Sequence, residues 1–104
     1  MNISEIKKNI KSAWREWEVI KRTEKHHCFF SAAEERDALK NRLEDIRGEI
    51  EDYFYACPGT KKECLTLLRR ILNISEKLKL SYVCPAAYDQ SINIFETMKN
   101  IDRR

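Results

Sequence analysis

Cys28, Cys57, Cys64 and Cys84 are the residues of this chain best suited to chemistry, and His26 and His27 stand directly before the first of them. Thiols bind metals, form disulfides or act as nucleophiles, and each use demands a particular spacing or neighbour. There is no CxxC, and Cys57 and Cys64 lie too far apart in sequence for a compact zinc knuckle. His26-His27-Cys28, with Cys84 as a fourth ligand, offers suitable residue types for zinc but matches no established zinc pattern. The expectation is therefore no metal and no cofactor. If the chain folds up and down, Cys28 and Cys84 fall at one end, and Cys57 and Cys64 flank a turn at the other. That placement suits disulfides 28–84 and 57–64. Free thiols are nevertheless the preferred reading, since structural disulfides are rare in the cytosol and a buried thiol packs as a small hydrophobe.

Other catalytic signatures are missing from the sequence. It shows no nucleophile–base pair, no paired carboxylates and no HExxH helix, and two glycines cannot build a phosphate cradle. The chain is expected not to be an enzyme. Two Asn-x-Ser sequons, at Asn2 and Asn73, read as chance matches.

Charge offers more. The net charge is only +3, but residues 1–30 carry seven Lys/Arg against four Asp/Glu, and residues 31–56 reverse the balance with four against eight. Residues 57–80 are basic again, six against two. The simplest account is complementarity between neighbouring helices. Lys7, Lys8, Lys11, Arg15, Lys21, Arg22 and Lys25 all fall on one helical face, within an arc of about 140° that only Glu18 interrupts, and Lys7, Lys11, Arg15, Arg22 and Lys25 are the candidate contacts among them. With Arg69 and Arg70 nearby, that face would suit phosphates, which makes a small nucleic-acid-binding regulator the second functional expectation.

The first expectation is a protein-binding regulator: an adaptor, inhibitor, immunity-type or chaperone-like helical protein. Exposed aromatics and Arg are the usual anchors of protein interfaces. Trp14 lies at the edge of an apolar stripe and Tyr55 off one, so both are expected at the surface. Asp45, Glu49 and Asp52 add an acidic face, and self-association through the seam of their helix is a related expectation.

Few breakers and 36% charged residues point to long helices in a single 104-residue domain. Ile3, Ile6, Ile10, Ala13, Trp17 and Ile20 form a stripe on a helix over about 3–25, with Asn2 as its cap. A second stripe (Ala32, Leu39, Leu43, Ile46, Ile50, Tyr53, Cys57) is out of phase by two positions, so the chain should break at residues 26–30. Ser31-Ala32-Ala33-Glu34 then reads as a capping box for a helix over about 32–56. Its seam is narrow, which suggests a peripheral helix. Cys57-Pro58-Gly59 is a turn, and Thr60-Lys61-Lys62-Glu63 reads as a second capping box.

The third helix, about 61–79, has the broadest apolar face and should be the most buried. Pro85 suits the first turn of a fourth, about 85–101, with Ala87, Tyr88, Ile92, Ile94, Phe95, Met98 and Ile101 inward. The architecture expected is an all-α, antiparallel up-down four-helix bundle. No run approaches a membrane span, and the N-terminus lacks a signal peptide's apolar core, so the expected compartment is cytoplasmic.

Overall fold

The computed structural model describes every residue except Met1, 26–28 and 82–88; the side chains of residues 23–33 and 79–93 also lie outside the description. The fold is an all-α four-helix bundle: α1 (Ile3–Lys25), α2 (Phe29–Ala56), α3 (Lys61–Ser81) and α4 (Asp89–Asp102). Polar contacts between helices establish its directions. Asn9 meets Glu49 and Glu16 meets Arg42, so α1 and α2 are antiparallel. Lys61, at the start of α3, meets Asp102 at the end of α4, so that pair is antiparallel too. Lys7 with Glu63, and Trp14 with Lys77, make α1 and α3 parallel, which completes the up-down-up-down order.

Local signals account for much of this. Asn2 caps α1 by accepting the Glu5 N–H through Oδ1 at 2.9 Å, satisfying a donor that has no partner within the helix. The apolar stripe of α1 is buried from Ile6 to Ile20. In α3, Cys64, Leu67, Leu68, Ile71, Ile74 and Leu78 are buried, and Leu65 and Leu72 are partly so.

Several expectations need correcting. α2 begins at Phe29, so Ser31 lies inside the helix and cannot cap it. Near its C-terminus the core residue is Phe54, with Tyr53 only half-buried and Cys57 exposed. A straight helix drifts about 20° per heptad from a strict seven-residue repeat, and the step from Ile50 to Phe54 absorbs that drift. Cys57 follows the helix with non-helical angles (φ −133°, ψ 76°), since proline disfavours the helical region for the residue before it, and its side chain is exposed.

Pro58–Thr60 forms one 3₁₀ turn, in which Thr60 Oγ1 donates to the Cys57 carbonyl at 2.6 Å. Glu63 pairs with Lys7, so the second capping box is not formed. Phe95, expected inward, is exposed, and Ile94, Thr97 and Ile101 take the inner face of α4. The Pro85 start and the packing of Ala87, Tyr88 and Ile92 lie outside the described residues.

Nor is α2 peripheral. It packs on α1, α3 and α4, as α3 packs on the other three helices, while among the described residues α1 and α4 make no substantial contact. The section is therefore a flattened rhombus with α2 and α3 on its short diagonal. Its extents are 46 × 26 × 15 Å, and its 14.2 Å radius of gyration exceeds the roughly 13 Å of a compact 100-residue domain. From Leu39 to Ile50 the seam of α2 is buried inside the monomer.

One seam position is not apolar. Arg36 is 5% exposed, and its Nη1 donates to the Leu78 carbonyl at 3.0 Å. That carbonyl lies in the last turn of α3, where intrahelical partners run out and the helix dipole favours a cation. Arg47 ties α2 to α4 in a similar cross-helix way, donating to Thr97 Oγ1 at 3.1 Å while paired with Glu44 and Glu51. Among the described residues no helix is long and apolar enough to cross a membrane.

Two stability outcomes follow. Arg36→Met keeps the aliphatic stem but removes the charged donor, and should cost about 2 kcal/mol in urea unfolding. A Cβ built on Gly48 meets nothing within 4 Å, so Gly48→Ala should instead stabilise α2 by about 1 kcal/mol and raise the melting midpoint by about 5 °C.

Candidate binding groove

α1 leans chiefly on α2 and touches α3 less extensively, and α4 does not close against it. A groove of about 460 Å³ therefore opens along the α1–α3 side. Ile10 and Ile74 form its floor, and Trp14 stands beside them, 37% exposed. Lys11 and Arg15 of α1 and Arg70 of α3 supply its cationic lining. Glu18 is the acid among the lining residues, and Asn73 adds an amide. Lys77 Nζ lies 4.5 Å from the Trp14 ring centroid, a cation–π contact worth about 0.5–1 kcal/mol at an exposed site. The arrangement can hold an apolar group against the indole and anions against the guanidinium and ammonium groups. It contains no nucleophile–base pair.

This grouping differs from the one expected from sequence. Trp14 and Tyr55 are both exposed, but they are not neighbours. In the antiparallel α1–α2 register, Tyr55 lies about 11 residues, or about 16 Å, along the axis from Trp14. Tyr55 instead sits at the turn end, its ring under Arg104 at 4.8 Å and tilted against Phe54 at 5.8 Å. Asp45 and Asp52 are exposed on α2, whereas Glu49 is drawn toward α1 by Asn9, whose Nδ2 donates at 3.2 Å.

The basic set divides as well. Lys11, Arg15 and Arg70 converge on the groove, and Lys7 is paired with Glu63 at 3.3 Å. Arg22 is exposed further along α1, and Arg69, one residue or about 100° around α3 from Arg70, is exposed but does not line the groove. The Lys25 side chain and His26, His27, Cys28 and Cys84 lie outside the described residues, so the metal reading and the 28–84 disulfide do too. Among the described residues no group of three or more His, Cys, Asp or Glu is placed to hold a metal.

Charge complementarity between α1 and α2 runs opposite to their net charges where it is seen. Arg42 of acidic α2 pairs with Glu16 of basic α1 at 3.0 Å and also donates to Ser12 Oγ at 3.0 Å. The majority charges of both helices face solvent instead. Beside this contact lies a smaller hollow of about 370 Å³, where Val19 and Ala38 are exposed next to Arg15 and Glu35.

The turn end gathers Tyr53, Cys57, Thr60, Glu63 and Cys64. Cys57 and Cys64 are free thiols, the first exposed and the second buried, so the 57–64 disulfide is not formed. Burial pushes the Cys64 thiol above its ordinary range, against a lowering hydrogen bond from Thr60, and Glu63 and Cys57 raise it further. Tyr53 is raised as well, first by burial and then by the charges of Cys57, Glu63 and Cys64. Cys64 thus behaves as a packing residue.

Helix propensity and apolar periodicity locate the groove's α1 half, but Ile74, Asn73 and Lys77 carry no sequence signal that places them opposite Trp14. The contact joins two helices that are not consecutive in the chain. Fold and groove together define a small helical bundle with an open cationic groove. Set against known proteins, the chain matches no family model, no curated protein and no solved structure.

The thiols give a direct check. In a Cys28→Ser/Cys84→Ser background, Cys57 should react with an aromatic disulfide reagent at the rate of an exposed thiol, and Cys64 only as fast as the chain unfolds. A raised acid pKa stabilises the native state below the unfolded value, about 8.5 for a thiol, and that contribution is lost as pH rises above it. The urea midpoint should therefore fall as pH rises above about 8.5, and less steeply in Cys64→Ala.

Proposed function

We propose that this chain is a non-catalytic protein-binding regulator of the adaptor, inhibitor, immunity-type or chaperone-like kind, with the α1–α3 groove as its binding surface. The observation that carries this reading is an exposed Trp14 seated in a groove of about 460 Å³ and ringed by Lys11, Arg15 and Arg70. Trp and Arg are the side chains most often found as energetic anchors, and they act best in a concavity that excludes water once filled. The proposed setting is the cytosol, in keeping with free thiols at Cys57 and Cys64. A second reading, a nucleic-acid-binding regulator, draws on Arg70 joining the α1 cations across the helix boundary.

The test is retention of a partner from an extract of the native host by wild type, Trp14→Ala, Arg70→Glu and Phe95→Ala. A protein held by wild type and Phe95→Ala but lost from the two groove variants supports the reading. Retention indifferent to Trp14→Ala removes the groove as the surface. Recovery of nucleic acid in place of protein transfers the groove to the second reading.

A further inference from the structure

Resting on that reading, we propose that the groove takes an acidic segment of a partner protein, one whose carboxylates are interspersed with apolar side chains, and that Glu18 discriminates against polyphosphate chains. The occupant must satisfy two features at once. Ile10, Ile74 and the Trp14 ring offer apolar surface, and Lys11, Arg15 and Arg70 offer positive charge from both walls. A purely apolar partner would desolvate those cations without compensation, which is costly. A segment alternating acidic and apolar residues meets both demands.

The distinction between a peptide and a nucleic acid rests on Glu18. On α1 the solvent-facing ladder runs Lys11, Arg15, Glu18, Arg22, so a carboxylate stands one turn beyond Arg15 and interrupts the basic track. A nucleic-acid strand carries charge at every phosphate and cannot skip that rung. A peptide can place a neutral residue there. Two other features shorten the track: Lys7 is engaged by Glu63, and Arg69 stands off the groove. A repulsive group within an otherwise attractive site is a common means of setting specificity.

The experiment titrates three labelled probes into the full chain and follows anisotropy at low and physiological salt. The probes are a synthetic peptide alternating paired Glu with Leu, its Gln counterpart, and an oligothymidylate. Circular dichroism and melting of each variant establish that the substitutions, all at exposed positions, leave the fold intact. The acidic peptide should bind wild type at least about tenfold tighter than the Gln peptide, and Arg70→Glu or Lys11→Glu should weaken it by about tenfold or more. The oligonucleotide should bind more weakly than the peptide, and Glu18→Gln should raise its affinity by about tenfold while changing the peptide's much less.

Equal binding of acidic and Gln peptides overturns the acidic occupant. Oligonucleotide binding that matches the peptide and ignores Glu18→Gln overturns the discrimination and assigns the groove to nucleic acid. If no probe binds while Trp14-dependent capture of a partner persists, the acidic segment falls and the protein-binding reading stands. Self-association by sedimentation that vanishes in Arg70→Glu would make a second copy the occupant and overturn the proposal.

Discussion

The hydrogen bond from Arg36 to the Leu78 carbonyl closes the α2–α3 hairpin at the end away from its turn. A guanidinium only 5% exposed carries a desolvation cost of several kcal/mol, which its polar contacts must offset. Here the acceptor lies in the last turn of a helix, where the macrodipole adds to the carbonyl's own pull. The bond is also directional, so it constrains register in a way that the surrounding Leu and Ile contacts do not. The 3₁₀ turn at Pro58–Thr60 constrains the opposite end. With both ends held, α2 and α3 become a unit against which α1 and α4 are placed.

That unit explains the section of the bundle. Each of the two central helices packs on the other and on both flanking helices, whereas α1 and α4 are covered from one side. A square bundle would bring α1 and α4 together and seal the α1–α3 side. The rhombus leaves α1 resting mainly on α2, and its far flank meets α3 through long side chains, Lys7 to Glu63 and Trp14 to Lys77. The groove is thus a consequence of how the core is shared. Its Trp and cations occupy the space that an α1–α4 contact would otherwise have reshaped.

What could be read from the sequence divides along the same line. Helix number, order and the α2–α3 turn follow from short-range signals: the Asn2 cap, the phase slip between the first two stripes, and Cys57-Pro58. The α1 stripe from Ile6 to Ile20 is buried as its 3-4 spacing implies. The buried seam of α2 is narrow, as its pattern implies, but narrowness did not make the helix peripheral, because half-buried residues beside the seam let it pack on three neighbours. Phe54 was displaced from expectation by a drift that only a straight helix of this length reveals. The groove's α3 half was illegible for a different reason. Periodicity tells which face of a helix is buried, but not which non-consecutive helix the flank of that face will meet, so Arg69 and Arg70 are indistinguishable until α1 and α3 are set side by side.

The charge pattern is best understood through the pairs that cross between helices. Arg42 with Glu16, and Lys7 with Glu63, each use a minority charge on at least one partner, which leaves the basic majority of α1 and the acidic majority of α2 facing water. Pairing the majorities internally would have neutralised both faces. With a net charge of only +3 and screening within about 8 Å at physiological salt, the long-range field is weak, and an approaching molecule senses the local pattern only near contact. Such a surface gives little general attraction to polyanions. On the proposed reading, discrimination would rest on how a partner's charges and apolar groups match the spacing of Lys11, Arg15, Glu18 and Arg70 around Trp14, more than on the sign of the whole molecule.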